Sequence, residues 1–212
     1  MPRLLHIDAS VRPEESVSRA VAASFREAWT GEVVHRDLAA RPVPHLTRDG
    51  VSARGVDPAE HSAEQAVAAF LQEELIGELL SADAYLFAVP MYNYSIPSAF
   101  KAWIDQILIP GRTQGGTPEE SPLHGRPATL IAVRGGSYAP GTPREGWDFA
   151  EPYLRTVLAD CLGLDLHVII VEMTLAETVP ALADFRDHRR RSIEQAHAAA
   201  AERARGLVLQ HA

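Results

Sequence analysis

Pro90-Met91-Tyr92-Asn93-Tyr94-Ser95-Ile96-Pro97 is the stretch on which the reading of this chain turns. Before it, residues 84–89 (Ala84, Tyr85, Leu86, Phe87, Ala88, Val89) are uniformly apolar, the pattern of a strand buried on both faces. After it, Phe100, Trp103, Ile104, Ile107 and Leu108 recur at helical spacing, with Pro97 fixing the direction of the first turn. A polar, aromatic octapeptide therefore sits where a buried strand hands over to a helix. In an open parallel sheet that is where ligands bind.

Strand and helix patterns alternate outward from this point. Strands are expected at 3–8, 32–36, 84–89, 128–133 and 166–171, and helices at 18–29, 62–80, 97–108, 151–162 and 181–206. The first helix puts Val21, Phe25, Ala28 and Trp29 on one face. The second carries Val67, Phe70, Leu71, Leu75 and Leu79 inward, and Gly163 marks the stop of the fourth. Long connections at 37–61 and 110–125 are rich in proline and glycine. Five strands alternating with five helices predict an α/β fold with one doubly wound, five-stranded parallel sheet, helices on both faces and strand order 2-1-3-4-5. No internal repeat or low-complexity linker divides it, so residues 1–212 are expected to form a single domain.

Composition narrows the function. The 212 residues are 46% hydrophobic and 23% charged, as in ordinary soluble enzymes. A net charge of −8 disfavours nucleic acid, whose phosphates need a basic footprint. The basic run Arg186, Arg189, Arg190 and Arg191 is interleaved with Asp184, Asp187 and Glu194, and reads as a solvated helix face. Cys161 has no internal disulfide partner and shares helical spacing with Leu154, Val157 and Leu158, as a small apolar core residue would. No apolar run is long enough to span a bilayer, and the N-terminus runs straight into a strand. A cytoplasmic chain with no membrane partner is expected.

Three loops leave the C-terminal ends of strands one, three and four. The first, 9–18, holds Ser10, Ser16 and Ser18 ahead of a helix. Short hydroxyls and free helix N–H groups suit a phosphate monoester, and serve equally as ordinary N-caps. The second is the octapeptide, where Tyr92 and Tyr94 can wall a flat heterocycle and Asn93 can offer its edge a donor and an acceptor. The third, Val133-Arg134-Gly135-Gly136-Ser137-Tyr138, has paired glycines that let backbone N–H groups approach a ligand closely. In strand order 2-1-3-4-5 these loops are neighbours at the switch point, where FMN binds in flavodoxin. No His, Cys, Asp or Glu group has metal-ligand spacing, so His6, His35 and His45 read as strand and loop histidines and no metal is expected. There is no G-x-S-x-G elbow.

The run from Met91 to Pro97, followed by Lys101, Trp103 and Asp105, resembles the signature of flavodoxin-like NAD(P)H-dependent flavin oxidoreductases. Its Met-Tyr-Asn form is similar to FMN-dependent NADH azoreductases, which also act as quinone reductases. Arg36-Asp37-Leu38-Ala39 with Pro42, Pro44 and Leu46, and Pro152-Tyr153-Leu154 with Thr156 and Leu158, resemble the same subfamily, so the likeness spans nearly the whole chain. It implies that Ser10, Ser16, Val17 and Ser18 hold the FMN phosphate. It places Met91, Tyr92, Asn93 and Tyr94 along the isoalloxazine ring, and Val133, Arg134, Gly135 and Gly136 at the pyrimidine end. It further implies a homodimer with each active site near the interface. The implied reaction is ping-pong: NADH or NADPH reduces bound FMN, which passes two electrons to a quinone or azo compound. No protein acid or base is singled out, because the cofactor carries the chemistry.

The chain departs from that pattern at two places. Val133 stands where azoreductases commonly carry a hydroxyl residue, and Gln114, among glycines, stands where they usually place aromatics over the flavin. Tyr138, Trp147 and Phe149 are alternative sources of aromatic cover. Two other readings remain open on this scaffold: a specialised biosynthetic flavin reductase for an aromatic or polycyclic metabolite, and a flavodoxin-type electron carrier. The long loops favour a substrate cavity over a pure carrier. Lys101 and Asp105, one helical turn apart, read as a surface or dimer-face pair.

Overall fold

The computed structural model describes residues 1–210; His211 and Ala212, the end of the expected 1–212 domain, lie outside the described residues. Strands β1 (Arg3–Asp8), β2 (Glu32–Asp37), β3 (Ala84–Pro90), β4 (Pro127–Val133) and β5 (Asp165–Val171) form one sheet. All four pairings are parallel, and the order is β2-β1-β3-β4-β5, as expected. Helices α1 (Val17–Ala28) and α6 (Arg186–Gln210) cover one face. Helices α3 (Ala63–Ser81), α4 (Ser98–Ile107) and α5 (Glu151–Arg155) cover the other, and the short α2 (Arg48–Ser52) lies in the connection before α3.

The two cores follow from the period of two along each strand. In β3, Tyr85, Phe87 and Val89 pack toward α3 and α4, where Phe100 and Trp103 complete an aromatic cluster. Ala84, Leu86 and Ala88 face Val21 and Phe25 of α1 and the alanines of α6. The small residues on that side let α1 and α6 pack closely over the sheet. This places the N-terminus of α1 directly above the end of β1.

Four expectations change. Val67 and Phe70 are exposed, at 76% and 75%, rather than inward. The buried stripe of α3 is Gln72, Leu75, Ile76 and Leu79, and Phe70 lies about 200° around the helix from Gln72. Val67 borders a groove lined by Pro44, Thr47, Gly50 and Leu71. The long connection 37–61 holds α2 and a 3₁₀ turn at Pro58–Glu60. Its anchor is a buried amide chain in which Gln72 Nε2 donates to Gln106 Oε1 (2.9 Å) and Gln106 Nε2 donates to the Pro44 carbonyl (3.0 Å).

The expected helix 151–162 changes pitch, with α5 giving way to a π-helical turn at Thr156–Cys161. Gly163 follows at φ +70°, and a Cβ there would lie 2.4 Å from the Pro118 carbonyl oxygen, so only glycine fits. Cys161 is half-buried rather than a full core residue, and burial pushes its thiol pKa up. The last helix begins at Arg186, because residues 180–185 form a 3₁₀ segment opened by Pro180. The pair Lys101–Asp105 forms as an i,i+4 ion pair on the surface of α4.

Candidate cofactor site

At the C-terminal edge of the sheet, between β1 and β3, lies a cavity of about 750 Å³. It is lined by Ser10, Ser16, Val17, Ser18, Met91, Tyr92, Asn93, Val133 and Gly135 among others. All three loops singled out from the sequence therefore meet there. Small-molecule sites usually fall between about 300 and 1,000 Å³.

One end of the cavity is built by the start of α1. Ser16 is its N-cap, with Oγ accepting from Arg19 N–H at a long 3.5 Å, and lies 3.2 Å from Ser18 Oγ. The first amides of a helix have no intrahelical partner and carry the positive end of its dipole. Two adjacent hydroxyls, free amides and a weakly engaged cap form a cradle with the donors that a phosphate monoester requires. Ser10 is buried and links two loops, because the Tyr92 hydroxyl lies 3.3 Å from its Oγ and accepts from Val11 N–H at 3.2 Å.

The octapeptide forms a two-residue turn. Tyr92 and Ser95 exchange backbone hydrogen bonds of 2.9 and 3.0 Å, with Asn93 and Tyr94 at φ +49° and +69°. Positive φ at both central positions defines a type I′ turn, which asparagine accepts readily and tyrosine does not. Strain of this kind persists where surrounding structure enforces it. Here Met91 N–H donates to the Val133 carbonyl (2.7 Å) and Phe149 N–H to the Tyr94 carbonyl (2.9 Å).

Three residues of the sequence reading stand outside the cavity lining. Tyr94 turns toward Tyr138 and Trp147, edge to face at 6.4 and 5.4 Å. Arg134 is buried and pairs with Asp148 (2.5 Å) and Glu172 (3.3 Å). Gly136 accepts at its carbonyl from Met173 N–H (3.4 Å). Gln114 closes its own turn, its carbonyl accepting from Gly111 N–H at 2.8 Å.

The lining residues missed in sequence come mainly from the loop after β5: Thr174, Leu175, Glu177 and Thr178, with Arg189 from α6. Leu175 packs so closely on Gly135 that a Cβ at that glycine would lie 2.6 Å from Leu175 Cδ1. The available signal was positional, since this loop also leaves the C-terminal edge, beside β4.

Beneath the cradle, β1 and β2 end with Asp8 and Asp37 in register. Arg19 holds both carboxylates. It forks onto Asp37 with two 2.7 Å bonds, approaches Asp8 at 3.4 Å and donates to the Ser10 carbonyl at 2.8 Å. His35 Nε2 lies 2.8 Å from Asp8, and His6, stacked on His35 at 4.6 Å, lies 3.4 Å from it. His6, Asp8 and His35, which linear spacing did not group, bring ligand atoms within 4.8 Å of one another, and this trio holds no ion. The rings are within 20° of parallel, so their lone pairs run side by side and one ring must turn before both reach one ion.

Burial lowers the His6 pKa and outweighs the pull of Asp8. Burial alone would raise Asp8, but its contacts with His35 and His6 and the charge of Arg19 prevail and hold it below the carboxylate range. His6, kept neutral in the fold, therefore supplies stability that is lost as pH falls below about 6.5, where the unfolded chain gains a proton. Asp8 supplies stability present above its unfolded value, about 4, and lost as pH falls through the folded value. Tm is expected to decline between about pH 7 and pH 5, with His6→Gln flattening that limb. A wild-type Tm that stays level over this interval would remove His6 from the account.

The fold and site together have the form of a mononucleotide-binding protein of the doubly wound class, with the cavity at the β1/β3 switch point where such proteins take their ligand. Residues 2–200 match the flavodoxin-like fold family, and the chain belongs to it. It is 51% identical to an FMN-dependent NADH:quinone oxidoreductase of Frankia casuarinae, over 98% of this chain and 100% of that one. It is 49% identical to a Streptomyces avermitilis protein of the same name, over 98% of each. Among solved structures it is similar to azoreductase from Bacillus anthracis, with a TM-score of 0.79 and 26% identity, over 97% of this chain and 100% of that one.

Proposed function

We propose that this chain is an FMN-dependent NADH:quinone oxidoreductase that also reduces azo compounds by two electrons. The observation that carries the proposal is the cavity that joins the hydroxyl-lined start of α1 to Met91–Asn93 and to Gly135. The similarity to named quinone oxidoreductases at about half identity supports the same reading. FMN held in this cavity would supply the redox chemistry, two-electron exchange between NADH and the acceptor.

The residues bind, orient and screen. Ser16, Val17 and Ser18, at the end of the cavity where α1 starts, would hold the phosphate through hydroxyls and amides. Met91, Tyr92, Asn93, Val133, Gly135 and Leu175, which line the same cavity, would hold the ring. Arg134, fixed between Asp148 and Glu172, sets the course of the 133–136 backbone.

The protein acts as a cytoplasmic homodimer of single-domain protomers on this reading. Val51, Val67 and Phe70, all exposed on α2 and α3, supply an apolar face for the second copy. No described helix is long and apolar enough to cross a membrane. Light scattering should give the mass of two chains for the native protein and of one chain for Phe70→Asp.

Purified protein is expected to be yellow, to bleach with NADH in the absence of oxygen, and to recover its colour on addition of a quinone. A colourless protein that takes up no added FMN would overturn the assignment. Bleaching without quinone-driven recovery would overturn the acceptor.

A further inference from the structure

We propose that Arg189 reads the phosphate of the cofactor, exchanging its ion pair with Glu177 for the phosphate and so selecting phosphorylated flavin over the same ring without one. The inference rests on the FMN-dependent reading above and adds to it the residue that sets cofactor specificity. Arg189, Glu177 and Ser16 line one cavity. The other arginines of the run, Arg186, Arg190 and Arg191, are exposed, whereas Arg189 is half-buried, with 27% of its side chain accessible.

Helix packing puts Arg189 beside the start of α1. Helices α1 and α6 cover the same face of the sheet and run the same way, since each follows a strand of a parallel sheet. Ser24 of α1 and His197 of α6 set their register, with Oγ and Nδ1 2.7 Å apart. Eight residues before them along the chain stand Ser16 and Arg189. Ile193, one turn after Arg189 on the same side of α6, packs in one cluster with Val17. Arg189 therefore belongs to the side of α6 that meets α1, not to its solvent side.

Its partner in the protein is a weak one. Nη1 stands 3.5 Å from Glu177 Oε1, and Glu177 is half exposed and shared with Arg186 at 3.4 Å. Exposed pairs of this kind add little to stability, so the arginine is easily released, and Glu177 keeps Arg186. Arg189 Nε is buried with no hydrogen-bond partner among the described residues, which leaves the guanidinium under-bonded without a ligand. A guanidinium fork meets a phosphate through parallel, charge-assisted hydrogen bonds. A phosphate monoester brings a charge of about −1.5 to −2 to a chain whose net charge is −8. The hydroxyls and amides at the start of α1 offer donors but no full charge. The other arginine of the lining, Arg12, is exposed, which leaves Arg189 to supply the cation.

The test compares the dissociation constants of FMN and riboflavin on apoprotein, read from flavin fluorescence. Arg189→Gln is expected to lower the riboflavin-to-FMN ratio of these constants about ten- to hundredfold while riboflavin binding stays level. Arg189→Lys should keep only part of the ratio. Glu177→Gln releases the intact Arg189 and should tighten FMN about threefold without affecting riboflavin. A second readout needs no flavin: inorganic phosphate should raise the Tm of native apoprotein more than that of Arg189→Gln. An Arg189→Gln protein that binds both flavins at the native ratio, or is protected equally by phosphate, overturns the role of Arg189 and leaves the cofactor assignment standing. Unchanged FMN affinity in Glu177→Gln overturns the exchange of partners. Apoprotein that binds neither flavin overturns the underlying assignment, and this inference with it.

Discussion

Alanine at both Ser16 and Ser18 is expected to weaken FMN binding by roughly two to four orders of magnitude. Each hydroxyl placed on a phosphate makes a hydrogen bond to a charged group, worth about 1.5–3 kcal/mol, and a factor of ten costs about 1.4 kcal/mol. The two oxygens stand 3.2 Å apart at the start of α1, so both reach one phosphate. The amides of that turn remain in the variant and keep a residual affinity. Ser16 is also the N-cap, and its loss costs helix stability of about 1 kcal/mol. Fluorescence titration of apoprotein with FMN measures the first effect and the apoprotein Tm the second. Threonine at both positions should recover most of the affinity. An alanine variant that binds FMN within threefold of the native protein would exclude the cradle as the phosphate site.

Arg19→Met is expected to bring the largest loss of stability of any substitution near the site. The guanidinium is 15% exposed and stands over Asp8 and Asp37, which are 5% and 23% exposed. Its removal leaves two neighbouring carboxylates at the ends of β1 and β2 without their shared cation. Breaking a buried pair by deleting one partner costs about 3–5 kcal/mol. For a chain of this size that lowers Tm by roughly 10 °C. The Ser10 carbonyl also loses its donor, which loosens the cofactor loop from below. Lysine should rescue little, because a point charge cannot repeat the two-pronged contact with Asp37 while reaching Ser10. Arg19→Met with Asp37→Asn should recover part of the loss. Thermal denaturation at neutral pH decides this, and a fall of less than about 2 °C would deny Arg19 its role as the strut.

The sheet was legible because its evidence is local. Uniformly apolar strands alternating with amphipathic helices define a doubly wound order, and the strand ends then locate the ligand edge. Ser16, Ser18, Met91, Tyr92 and Gly135 were found this way, and all line the cavity. What escaped depends on residues far apart in the chain. Arg19 meets its carboxylates across separations of 11 and 18 residues, and nothing in spacing announces that. Arg189 belongs to a charged run that reads as solvated, yet it reaches the cavity because the loop after β5 folds back over Gly135. Val67 and Phe70 were misplaced for a related reason. Helical period identifies an apolar side, but not where the sheet beneath that helix stops.

The Arg134–Asp148 ion pair closes residues 135–147 into a staple-ended insert, its two feet on the end of β4 and the start of α5. Whatever lies between those feet can change in sequence or length while the cofactor floor keeps its shape, because loop-closure entropy grows only slowly with length. The segment is thus an exchangeable cassette. Its sequence can drift, or another can be grafted in its place, without rebuilding the sheet edge that the ion pair anchors.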